Sequence, residues 1–136
     1  MFKASVENRG DTKSYATTRH ASFVLDTNGN GANPVDTLLA SLCSCMGHYV
    51  RDYLIDQQIK QSGFSIGAEA GVAKETASLA EIRVRIDLGE VALNERQRGE
   101  LLEFVENCKV HKILSEHPGV TVTLLGNKSH GASACC

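Results

Sequence analysis

The residues in this chain best suited to covalent chemistry are its five cysteines, Cys43, Cys45, Cys108, Cys135 and Cys136. A thiolate is a strong nucleophile that can be oxidised and reduced reversibly, so cysteines outside structural bridges are either inert core residues or working thiols. The odd count argues against a framework of structural disulfides, and the opening stretch MFKASVENRGDTKS lacks the basic-then-apolar layout of an export signal. A reducing, cytoplasmic setting is therefore expected. Neither the Cys43-x-Cys45 spacing nor the terminal Cys135-Cys136 pair matches the paired ligand spacing of a structural zinc site, and no metal or other cofactor is expected.

The elements that position these thiols can be read from periodicity and capping. Asn33 before Pro34 pairs an N-cap residue with the first helical position, and Asp36 follows in the first turn, where negative charge suits the helix dipole. A long helix is predicted from Pro34 to about Gln61. At about 100° per residue, Cys45 falls beside Leu38, Leu42 and Tyr49 on the apolar stripe, while Cys43 lies about 160° away. Residues two apart on a helix do not face each other, so a disulfide partner for Cys45 has to come from elsewhere. Asn94 with Gln97 resembles a capping box opening a second helix, whose stripe of Leu101, Leu102, Val105, Cys108 and Val110 turns Cys108 inward. Two inward thiols on two helices can meet; they can equally be small buried hydrophobes.

Around the helices the sequence predicts strands. FKASVEN and SYATTRHASFVLD, separated by RGDTK, read as an N-terminal β-hairpin, and FSIGAEAGVAKE with SLAEIRVRIDLG as a second pair. In the last, Ile82, Val84, Ile86 and Leu88 alternate with Arg83, Arg85 and Asp87. Pro118 and Gly119 end the helical region, and VTVTLL reads as a final short strand. The order ββαββαβ indicates an α+β fold in one domain over residues 1–126, followed by a tail, 127–136, expected to be disordered. The tail could hold a soft metal through His130, Cys135 and Cys136, but disorder is the expectation. A net charge of −2 without a basic stripe argues against a nucleic-acid partner, and no apolar run is long enough to cross a membrane.

NPVDTLLASLCSC, followed much later by CKVHKIL, resembles the OsmC-like superfamily, which includes the osmotically inducible protein C and the organic hydroperoxide resistance proteins. In that family the reactive cysteine follows eleven residues after the proline that opens the long helix, which here selects Cys45. A second cysteine opens a Cys-Pro-Val-His segment, matched here at Cys108 with His111 in the histidine position. The resemblance implies an intertwined α+β homodimer with long central helices wrapped by sheets and both active sites at the interface. Two positions depart from the pattern. Hydroperoxide-reducing members carry glutamate directly after the proline, where this chain has Val35; Asp36 is acidic but lies on the opposite side of the helix from Cys45. A less characterised branch carries its acidic residue at that second position and a histidine in the strand before the loop, as His20 stands here. The family's activating arginine corresponds to Arg9 or Arg19, with Arg19 favoured as the substrate-side residue.

The resemblance implies a thiol-dependent peroxidase. Cys45, helped by a nearby cation, would attack an organic hydroperoxide, Cys108 would close a disulfide, and an external dithiol such as lipoyl would reduce it. Apolar neighbours Leu38, Leu42, Met46 and Tyr49 suit organic peroxides better than hydrogen peroxide. The alternatives are thiol–disulfide exchange without peroxide, and a non-catalytic module that binds a small apolar ligand. The homodimer expectation has an independent basis: Leu39, Val50 and Leu54 lie outside the central stripe, and one short chain has difficulty burying so wide an apolar helix.

Overall fold

The computed structural model describes residues 1–60 and 63–126, so the tail at 127–136 and its cysteines lie outside the described residues. The element order is βββαββαα. Strands β1 (Ala4–Glu7), β2 (Lys13–Thr18) and β3 (Ser22–Asp26) form an antiparallel meander, helix α1 covers Pro34–Asp56, and β4 (Ser65–Val72) pairs antiparallel with β5 (Leu79–Asp87). Helices α2 (Glu95–Val105) and α3 (Lys109–Glu116) follow. No described helix is long and apolar enough to cross a membrane.

Several boundaries follow local chemistry. The Asn33 side chain accepts from the Val35 amide at 2.8 Å with Pro34 in the first turn, which starts α1 where expected. The α2 capping box is also formed, Asn94 Oδ1 accepting from the Gln97 amide and Gln97 Oε1 from the Asn94 amide. Strand β5 turns Ile82, Val84 and Ile86 toward the core and Arg83, Arg85 and Asp87 outward.

Other boundaries differ from expectation. The predicted hairpin is a three-stranded meander, because the second segment turns back at Arg19–Ala21: the Thr18 amide donates to the Ala21 carbonyl at 2.8 Å, and the Ala21 amide to the Thr18 hydroxyl. Helix α1 ends at Asp56 instead of Gln61. Gln58 takes a left-handed conformation (φ 55°), its amide donates to Ile55 O and that of Ile59 to Leu54 O, a Schellman closure in which Ile59 packs back onto the core. The continuous second helix expected through Cys108 is broken. Asn107 and Cys108 donate to carbonyls only three residues back, the Asn107 side chain bonds Glu103 O, and Cys108 caps a separate helix. Residues 120–125, expected as a strand, pair with no strand among the described residues.

The core sits where α1 is enclosed by the β4–β5 hairpin on one side and by α2 and α3 on the other. Leu42, Met46, Val50, Tyr53 and Leu54 are buried along α1, and Leu101, Val105 and Cys108 seal them. Val50 and Leu54, expected outside the central stripe, are fully buried within this one chain and do not call for a second copy, whereas Leu38, expected on the stripe beside Cys45, is exposed. Leu54→Ala is expected to destabilise the fold by about 3 kcal/mol, through lost burial and the cavity left behind; a denaturant midpoint within error of the parent would refute this placement of the core.

The β1–β3 sheet stands apart, with no extended contact to any helix. Asp26 ties it to the loop before α1: its buried carboxylate accepts from the Thr12 hydroxyl at 2.8 Å and the Asn28 amide at 2.9 Å, and its own amide donates to Ala32 O. The Asn28 amide and then the Thr12 hydroxyl hold that carboxyl below the usual carboxylate range. Val6, Phe23 and Val24 remain exposed on the sheet.

Candidate active site

Cys45 lies one residue before Met46 on α1, half-buried and packed against the core cluster that contains Cys108. Cys108 is 0% exposed. It sits in extended backbone conformation at the start of α3, and its Sγ accepts from the His111 amide at 3.3 Å. Both cysteines are free thiols. Burial pushes the Cys108 thiol up; the His111 amide opposes this, and the neighbouring Cys45 thiol adds to it. The break between α2 and α3 thus brings the two cysteines selected from the sequence together, but places Cys108 on a helix cap instead of a helix face.

Cys43 belongs to a different environment. It is half-buried one turn before Gly47, whose Cα side looks onto Phe64 and Ile66 at the start of the hairpin, and burial pushes its thiol up. The helical-wheel separation of Cys43 from Cys45 holds in three dimensions.

On the flank of Cys45, Tyr49 comes one turn later and its ring packs at 5.0 Å from that of Phe104, four residues before Cys108. This aromatic pair was only half legible: Tyr49 is on the predicted stripe, whereas Phe104 is not on the list of inward positions. His111 also lines a cavity of about 300 Å³ with Leu42, Met46, Ile82, Val84 and Leu114, and its Nδ1 is buried without a hydrogen-bond partner.

The expected cations lie on the separate sheet. Arg19, exposed at the β2–β3 turn, has its guanidinium 5.3 Å from the Phe2 ring centre, and Lys109 approaches the same ring at 5.4 Å. Arg9 stacks on Tyr15 at 3.9 Å and pairs with Glu7 at 3.2 Å. His20, Val35 and Asp36 are exposed. Among the described residues, no three His, Cys, Asp or Glu side chains are grouped to hold a metal ion.

Residues 27–124 match a family model described as OsmC-like protein. Among curated proteins no relative matches the chain. Solved structures share the fold at low identity. An OsmC-like protein from Mycoplasma pneumoniae superposes with a TM-score of 0.72 at 16% identity, over 86% of this chain and 89% of the other. The organic hydroperoxide resistance protein OhrB of Bacillus subtilis gives 0.57 at 16% identity, over 86% and 92%. An organic hydroperoxide resistance protein OsmC from Legionella pneumophila gives 0.58 at 17% identity, over 84% and 88%.

Proposed function

This chain belongs to the OsmC-like family, and from that premise we propose that it is a thiol peroxidase that reduces organic hydroperoxides through a Cys45–Cys108 cycle. The observation that carries the proposal is the contact between a half-exposed thiol, Cys45, and a fully buried one, Cys108. The hydroperoxide resistance proteins that share the fold support the substrate class.

In the cycle, the Cys45 thiolate attacks the outer peroxide oxygen, the O–O bond breaks, and the alkoxide leaves as the alcohol after taking a proton. Cys45 becomes a sulfenic acid. Cys108 attacks that sulfur, water departs with the sulfenic oxygen, and a disulfide remains. An external dithiol, lipoyl in type, returns both cysteines to thiols in the cytoplasm. Arg19 is the proposed cation that favours the Cys45 thiolate and meets the substrate. Val35, which cannot accept a hydrogen bond from an arginine, favours a second reading: thiol–disulfide exchange without peroxide. The two separate in a single-turnover assay of the fully reduced protein with cumene hydroperoxide. Two thiols lost per peroxide consumed is the expected result; a folded, reduced protein that consumes none overturns the peroxidase reading.

The protein is further proposed to work as a homodimer of single-domain chains. The β1–β3 sheet touches no helix extensively, and Val35, Leu38 and Ile55 are exposed on α1. Val120, Val122, Leu124 and Leu125, in a segment that joins no strand among the described residues, are each at least 72% exposed. Open apolar surface of this extent supports an interface with a second copy, and this interface is proposed to carry Arg19 to Cys45. Sedimentation equilibrium at micromolar concentration is expected to give twice the chain mass; a monomer would overturn the dimer and this route for Arg19.

A further inference from the structure

The two thiols differ in access and in their electrostatic surroundings, and the difference bears on how the disulfide is reopened. Cys108 is sealed in the core with Leu101 and Val105, whereas Cys45 keeps part of its surface open. A thiolate attacks a disulfide along the S–S axis, so it needs an open approach to the sulfur it strikes, and the other sulfur has to leave carrying the electron pair. Only Cys45 offers such an approach. The leaving sulfur would then be Cys108, in surroundings that burial makes hostile to a negative charge. One feature offsets that hostility: Cys108 is the N-cap of α3, and the His111 N–H points at its Sγ from 3.3 Å. A helix N-terminus presents unpaired amides and partial positive charge, which stabilise a thiolate.

We propose that the reducing dithiol attacks Cys45 and that Cys108 leaves as a thiolate held by the His111 amide, which makes that N–H a catalytic group of the reductive half-reaction. This rests on the reading that Cys45 and Cys108 form the disulfide. In the first step a new bond joins Cys45 Sγ to the dithiol sulfur, the Cys45–Cys108 bond breaks, and its electron pair goes to Cys108 Sγ. The second sulfur of the dithiol then displaces Cys45. The dithiol is oxidised by two electrons to its own disulfide, and its two protons end on Cys45 and Cys108. The His111 imidazole has no part in these steps.

The test dispenses with peroxide. In a chain carrying Cys43→Ser, Cys135→Ser and Cys136→Ser, diamide joins Cys45 to Cys108, limiting 2-mercaptoethanol is added, acid stops the reaction, and peptide mass spectrometry locates the adduct. The adduct is expected on Cys45. An adduct on Cys108 overturns the inference while leaving the peroxidase reading intact; failure of diamide to join the pair overturns both. A second measurement separates amide from imidazole. His111→Pro removes the N–H at a first-turn position where proline is tolerated, and His111→Ala keeps it. Reduction of the disulfide by dithiothreitol is expected to be about tenfold slower in His111→Pro than in His111→Ala, because a less stabilised thiolate leaves more slowly. Equal rates in the two variants refute the amide's role. Adduct mapping uses the unaltered α3 and decides the site of attack even if His111→Pro does not fold.

Discussion

Cys45→Ser is expected to abolish hydroperoxide consumption by the reduced protein, with a loss of more than about a thousandfold, because a serine hydroxyl cannot replace the thiolate that attacks the O–O bond. Cys43→Ser, two residues away, is expected to stay within about twofold of the parent. The contrast is geometric. Cys45 shares a contact with Cys108, whereas Cys43 lies on another face of α1, where burial pushes its thiol up. Serine at Cys45 adds a hydroxyl to a half-buried surface, so circular dichroism and the thermal midpoint should change little. An active Cys45→Ser protein, or an inactive but folded Cys43→Ser protein, would show that the wrong thiol has been assigned.

Cys108→Ser is expected to change the stoichiometry of the reaction without stopping its first step. One peroxide is still consumed, but one thiol is lost per peroxide instead of two, and the product is a sulfenic acid on Cys45 that dimedone traps. Steady-state turnover with a dithiol should fall at least about tenfold, since the sulfenic acid now has to wait for an external thiol. Unfolding of α3 does not provide a competing explanation. Serine is among the preferred N-cap residues, and its hydroxyl can accept from the His111 amide as the Cys108 sulfur does. A Cys108→Ser protein that still loses two thiols per peroxide would move the resolving role to Cys43 or to the tail.

Much of this architecture is legible without coordinates wherever the deciding interaction spans only a few residues. Asn33-Pro34 starts α1, the Asn94–Gln97 box starts α2, and the alternation through Ile82, Val84 and Ile86 turns β5 inward, all because capping and side-chain periodicity are local. The separation of Cys43 from Cys45 is likewise a property of one helix. The ends of elements are less legible. Gln58 closes α1 from a left-handed conformation more typical of glycine or asparagine, and its closure depends on Ile59 reaching the core. Cysteine is not a usual capping residue, so nothing in CKVHKIL announces that Cys108 starts a helix; Asn107 is the single local hint. Residues 120–125 alternate like a strand, yet a strand exists only where another backbone offers it hydrogen bonds, and the described residues supply none.

The sequence by itself determined that Cys45 and Cys108 lie on apolar faces of separate segments, with Cys43 turned away from Cys45; that the two work together is what the family resemblance implies. Only the tertiary structure decided their inequality: Leu101 and Val105 close over Cys108 while Cys45 stays open, and the break at Asn107 aims an amide at the buried sulfur. Burial and the direction of an N–H depend on residues far apart in the chain meeting at one point, and no periodicity within a single element records that meeting.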